Sequence, residues 1–256
     1  MDLSGIIKSS NNSDTMKAVL TAAVVGISCT SFSQMFDVDF QSADQGLNQV
    51  VTTGAPPDHI SAILFGTPTV VPAYGPLTNQ PLFFNSDGQS PIGSGYYYTQ
   101  IELAFASVPL PSVDLSFDMV DTGSGHLLTV FFDTPTVRNF YFDNGQISFW
   151  GPSLQTVNLG TYQMGQADHF DIQLDYLLNQ WSFMENNTLL GTGAFNADGN
   201  LQSIRFNYSA NGPNISGTAV DNILVIVPEP SSLRLLVCAC CLFIGHLSCN
   251  RKNLIT

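Results

Sequence analysis

Residues 169–195, HFDIQLDYLLNQWSFMENNTLLGTGAF, decide the fold class. Phe170, Ile172, Leu174 and Tyr176 alternate with Asp171, Gln173 and Asp175, and a period of two sends the apolar set to one side of a strand and the polar set to the other. The segment is therefore a strand buried on one face only. Gln180 to Glu185 and Thr188 to Gly191 flank Asn186-Asn187, which predicts a hairpin, and Trp181 alternates with Phe183 toward its buried side.

The same pattern recurs outward from this stretch. Ile204, Phe206 and Tyr208 alternate with Ser203, Arg205 and Asn207, and Leu115, Phe117 and Met119 face away from Ser116 and Asp118. Asn144-Gly145 separates Phe140-Tyr141-Phe142 from Ile147-Ser148-Phe149 and predicts a second tight hairpin, because both positions tolerate positive φ. No stretch of the body keeps apolar residues at helical spacing for three turns. Several half-buried strands without helices predict an all-β, antiparallel β-sandwich. From Met35 to Pro111 the pattern is broken by Pro56-Pro57, Gly75-Pro76 and Gly93-Ser94-Gly95, so strands there are expected to be short and loops long.

The cadence of FDIQLDYLLNQWSFMENNTLLGTGAF, then LQSIRFNY, then GTAVDNILV resembles the concanavalin-like and laminin-G-like jelly rolls. In those folds a strand, a turn, a Trp-bearing strand and a Gly-rich strand precede the closing strands. The resemblance covers about 60 residues and implies a jelly roll. It also implies a possible structural calcium ion between the first and last strands, for which Asp37, Asp39 and Asp221 are the candidate oxygen ligands.

The two ends read as addresses and divide the chain into 1–33, 34–227 and 228–256. Lys17, the apolar run Ala18 to Ile27 and the small residues Ser31-Phe32-Ser33 fit a secretory signal peptide, a short helix cut after Ser33. Met16 is an alternative start, and lipoprotein processing at Cys29 a second reading. At the other end Val227-Pro228-Glu229-Pro230 stops the last strand. The apolar stretch Leu233 to Cys249 follows, and Arg251-Lys252 closes it. Seventeen residues at about 1.5 Å each reach roughly 25 Å against a hydrocarbon core of about 30 Å, a marginal transmembrane helix. This tripartite tail resembles the PEP-CTERM sorting signal of bacterial surface proteins. The resemblance implies export by the Sec machinery, anchoring in the membrane through the C-terminal helix, and an exosortase-type processing enzyme as partner.

Charge and cysteine usage narrow the partners. Between Gln34 and Val227 there are two basic residues, Arg138 and Arg205, against 17 acidic ones, a formal charge of −15. Such a surface repels phosphate, and nucleic acid is excluded as a partner. The five cysteines, Cys29, Cys238, Cys240, Cys241 and Cys249, all lie in the terminal segments, so the body has no internal disulfide and relies on its core.

Two functional classes follow. One is an exported, surface-sorted structural or matrix protein associated with exopolysaccharide, held periplasmically or at the cell surface. The alternative is a carbohydrate-binding module of the jelly-roll type, with Trp150, Tyr96, Tyr97 and Tyr98 as the candidate glycan contacts, since aromatic rings stack on sugars. Trp150 stands beside Gly151-Pro152 at a strand end and is the surface candidate. No enzyme is expected: Glu102 and Glu185 are the only glutamates of the body, and neither has an acidic residue two positions away, so the closely spaced carboxylates of jelly-roll glucanases are missing.

Overall fold

The structure is a computed structural model and describes residues 32–40, 53–54, 59–86, 95–104, 112–133, 138–151, 155–195, 201–213 and 216–228. The chain divides into two compact units, of which Ser33–Pro228 is one. The other, Met1–Phe32 with Glu229–Thr256, lies almost wholly outside the described residues. With it go the expected signal helix, the expected transmembrane helix, and Glu229, Pro230, Arg251 and Lys252 of the tail. Among the described residues no helix is long and apolar enough to cross a membrane.

Among the described residues every element is a strand, and the strands form two antiparallel sheets. The eight-stranded sheet runs β13 (Thr188–Ala194), β12 (Gln180–Glu185), β11 (Asp168–Asp175), β6 (Ser112–Asp121), β15 (Thr218–Pro228), β4 (Leu82–Phe84) and β3 (Thr69–Val70), with β1 (Phe32–Val38) also on β15. The seven-stranded sheet runs β10 (Thr156–Thr161), β9 (Gln146–Trp150), β8 (Arg138–Asp143), β7 (His126–Asp133), β14 (Ser203–Ala210), β5 (Tyr97–Ala104) and β2 (Ala62–Phe65). Both expected hairpins form. Asn144 and Gly145 adopt φ of 49° and 77° between β8 and β9, and Asn186 and Asn187 adopt 48° and 63° between β12 and β13. These left-handed values match the right-handed twist of the flanking strands. Val227 is buried near the end of β15, which stops at Pro228.

The core is an aromatic layer between the sheets. Phe117, Phe170, Phe183 and Trp181 from one sheet meet Phe206, Phe142, Phe140 and Phe149 from the other, with ring centroids 5.1 Å apart for Phe117–Phe206, 4.9 Å for Phe142–Phe170 and 4.6 Å for Phe149–Trp181. Each such pair adds about 0.5–1.5 kcal/mol beyond its buried area. The Gly-rich strand β13 is explained by the same layer: a Cβ on Gly193 would stand 2.7 Å from the Trp181 indole. Only glycine leaves room for that ring.

A buried polar knot joins the sheets at one end. Asp121, at the end of β6, lies 2.5 Å from Nε2 of His126, at the start of β7. The same carboxylate accepts hydrogen bonds from the Tyr162 hydroxyl and from Thr218 Oγ1, the latter at 3.2 Å. Burial, and then the Asp121 charge, push the Tyr162 phenol up from its ordinary pKa. The knot therefore keeps its carboxylate bonded on both oxygens.

Candidate functional site

The outer face of the seven-stranded sheet gathers the chemistry that the two-residue period turns away from the core. Ile101, Phe206, Val130, Phe140 and Phe149 form one inward row across five strands. The adjacent register positions run Glu102, Arg205, Phe131, Asn139 and Trp150, and beside them runs Gln100, Asn207, Thr129, Tyr141 and Ser148. Four inter-strand steps of about 4.8 Å carry each row roughly 19 Å across the face. That is the span of a short oligosaccharide.

One ion pair, the exposed Asp143 two positions beyond Tyr141, and a set of neutral groups occupy this surface. Arg205 Nε donates to Glu102 Oε1 at 2.9 Å, joining strands whose paired residues are 103 positions apart. Asn139 Nδ2 donates to the Tyr141 hydroxyl at 3.1 Å. Thr129 is 1% exposed and Asn139 2%. Among the described residues neither Thr129 Oγ1 nor Asn139 Oδ1 has a hydrogen-bond partner. Leaving a buried polar atom unbonded costs about 1–3 kcal/mol, so Thr129 and Asn139 hold unused hydrogen-bonding capacity within this face.

The expected glycan contacts divide between the two sides of the sheet. Trp150 is half-buried and closes one end of the row through Asn139. Tyr98 stands one register step from Gln100 on the same face, opposite Ser209, and its ring lies 6.3 Å from that of Tyr96, which is 43% exposed. Tyr97 pairs with Ala210, a core position, and points the other way. The three tyrosines do not make one platform. Gln100, Thr129, Phe131, Asn139, Tyr141 and Asn207 were not singled out from sequence. Their alternation was visible, but the register that aligns five strands was not.

The opposite outer face is acidic. Asp118 and Asp171 flank His169, with Asp118 Oδ1 2.6 Å from Nδ1 and Asp171 Oδ1 3.4 Å from Nε2. Burial, and less strongly the charges of Asp171 and Asp175, hold the Asp114 carboxyl above its ordinary pKa, while Gln173 opposes the shift. Behind this face Asp221 is 1% exposed. A bulge in β15 after it gives Asn222 a φ of 51°, and the Asn222 amide reaches Asp118 Oδ2 at 2.6 Å. Burial pushes Asp221 up to about 7, aided by Asp118 and Asp39 and opposed by the Asn222 N–H.

The candidate calcium ligands are thus only partly gathered. Asp37 and Asp39 are exposed while Asp221 is buried, with Asp39 near enough to act on Asp221. Among the described residues no group of three His, Cys, Asp or Glu side chains is arranged to hold a metal ion.

No protein-family model matches the chain, and no curated protein does. Solved structures do. One, described under the words "Prominent members of the human gut microbiota express endo-acting O-glycanases to initiate mucin breakdown", is 9% identical with a TM-score of 0.51, over 77% of this chain and 99% of that one. A prokaryotic β-1,3-1,4-glucanase, or lichenase, derived from a mouse hindgut metagenome is 10% identical with a TM-score of 0.50, over 77% of this chain and all of its own. A family 7 alginate lyase is 11% identical with a TM-score of 0.41, over 59% and 81%. At these identities the first two share the fold: two antiparallel sheets in a jelly-roll sandwich.

One expectation is corrected by them. The chain was expected to be no enzyme because its glutamates are unpaired, and Glu102 and Glu185 do stand on different sheets. Yet the solved structures that share this sandwich include a lichenase. The missing glutamate pair therefore does not exclude catalysis, and an identity of 10% does not assign it either.

Proposed function

We propose that this protein binds polysaccharide on the outer face of its seven-stranded sheet. One observation carries the reading: two adjacent rows, one holding Trp150 and Asn139 and the other Tyr141, Thr129 and Gln100, cross five strands with aromatic, amide and hydroxyl side chains, and Thr129 Oγ1 and Asn139 Oδ1 are buried there without a partner among the described residues. Aromatic rings supply apolar faces for the C–H surfaces of sugars, and amides and hydroxyls pair with their hydroxyl groups. The names of the fold neighbours, a lichenase and endo-acting O-glycanases, support a glycan as the ligand class.

The sequence of the two ends supports a setting for that activity. The segment Lys17 to Ser33 has the form of a Sec export signal, and Val227-Pro228-Glu229-Pro230 with Arg251-Lys252 has the form of an exosortase sorting tail. On this reading the sandwich is displayed at the cell surface, where it engages exopolysaccharide. A surface-sorted matrix component is the second reading, and the tail sequence is what favours it.

A glycan array probed with the full chain and with Trp150→Ala tests the binding. Retention of at least one polysaccharide is expected, weakened more than tenfold in the variant, as for a buried aromatic anchor. Assay of the same incubations for new reducing ends reads any cleavage. Failure to retain every polysaccharide would overturn the proposal.

A further inference from the structure

We infer that the glycan is uncharged and is read at its hydroxyl groups by Thr129 and Asn139. This rests on the polysaccharide-binding reading and specifies its ligand. Asn139 already spends an amide hydrogen on Tyr141, and its Oδ1 is left as a bare acceptor. Only a donor satisfies that atom. A sugar hydroxyl donates and accepts, so it can give its hydrogen to Asn139 Oδ1 while a neighbouring hydroxyl bonds Thr129 Oγ1. A carboxylate only accepts, and set against Asn139 Oδ1 it would leave two acceptors facing each other.

The charges on this face argue the same way. Arg205 is the only cation among the described residues of the two rows, and its Nε is bonded to Glu102. A uronate would compete with Glu102 for the guanidinium and meet the Glu102 charge beside it, in a chain whose formal charge is −13. Neutral hydroxyls have no such conflict: they donate to Glu102 and accept from Arg205. Thr129 faces Tyr141 across β7 and β8, with Phe131 opposite Asn139 in the next row. A hydroxyl that donates to Asn139 Oδ1 leaves the bond from Nδ2 to Tyr141 in place.

Thr129→Val tests this, because valine keeps the shape and removes the hydroxyl. The full chain and the variant are titrated calorimetrically with a soluble neutral glucan, a neutral galactan and a polyuronate, at low and high salt, and both are unfolded in urea. Binding of a neutral polysaccharide that is insensitive to salt is expected, about tenfold weaker in Thr129→Val. The unfolding midpoint of the variant should be unchanged or raised, since the lost hydroxyl has no partner among the described residues. A lowered midpoint with undiminished binding would make Thr129 structural and overturn its role. Preference for the polyuronate, abolished by salt, would overturn the inference while leaving the polysaccharide reading intact. Binding of no glycan of either class would remove the reading itself.

Discussion

On the outer face of the eight-stranded sheet Asp118 and Asp171 crowd around His169, with Asp114 beside them; on the opposite outer face, amides, hydroxyls and aromatic rings surround a single Glu102–Arg205 pair. Both surfaces come from strands of the same alternating design, folded over one aromatic core. Their chemistry diverges because four aspartates, Asp114, Asp118, Asp171 and Asp175, stand at outward positions of β6 and β11, whereas the outward positions of β5, β7, β8, β9 and β14 are mostly neutral. An acidic back repels other copies of the same surface. A neutral front leaves a surface on which uncharged polymer can lie.

The largest effect should come from breaking the support that the faces share. Asp121 ties β6 to β7 through His126, so it joins the acidic sheet to the neutral one. Removing one partner of a buried bonded pair costs about 3–5 kcal/mol, and Asp121→Ala should lower the urea stability by that much and destroy glycan binding with it. A cost below about 1 kcal/mol would show that the knot does not join the sheets.

Next in size is a pH effect confined to the acidic side. The Asp221 carboxyl, near 7 in the folded chain against an ordinary 3.8, keeps its proton where the unfolded chain has lost it. Folding is therefore penalised as pH rises between those values. Stability should fall by about 2–3 kcal/mol from pH 5 to pH 8 on account of this group. In Asp221→Asn, whose side-chain oxygen can still accept the Asn222 N–H, that part of the loss should vanish, making the variant the more stable protein at pH 8. Equal pH dependence of wild type and variant in urea titrations would refute it.

How far each face could be read from sequence follows the range of the interactions. The period-two runs at Phe170–Tyr176 and Ile204–Tyr208 and the Asn-Gly and Asn-Asn turns are local, and they led directly to one-sided strands and hairpins that the structure contains. Trp181 was legible as core for the same reason. The neutral face depends instead on β14 pairing with β5, over about a hundred residues, and no local signal aligns Arg205 with Glu102. Tyr96, Tyr97 and Tyr98 were candidate contacts together, and the pleat separates them by turning Tyr97 away from the other two. The exclusion of catalysis rested on a spacing within one strand, and the fold shared with a lichenase removes that exclusion without assigning an activity.

The smallest effect separates the faces most cleanly. Asp114 is held above its ordinary pKa chiefly by burial, and its Oδ1 has no partner among the described residues. Its raised folded pKa means that the ionised side chain costs stability above that value and nothing below the unfolded one. Asp114→Asn retains the contact with Gln173 and deletes the charge. It should stabilise the protein by about 1 kcal/mol or less at pH 8 and have no effect near pH 3, since part of the field is screened by solvent. Because Asp114 lies on the back of the sandwich, glycan affinity should not move. A change in affinity with unchanged stability would place the ligand on the acidic sheet, and the two faces would then have to exchange the roles given them here.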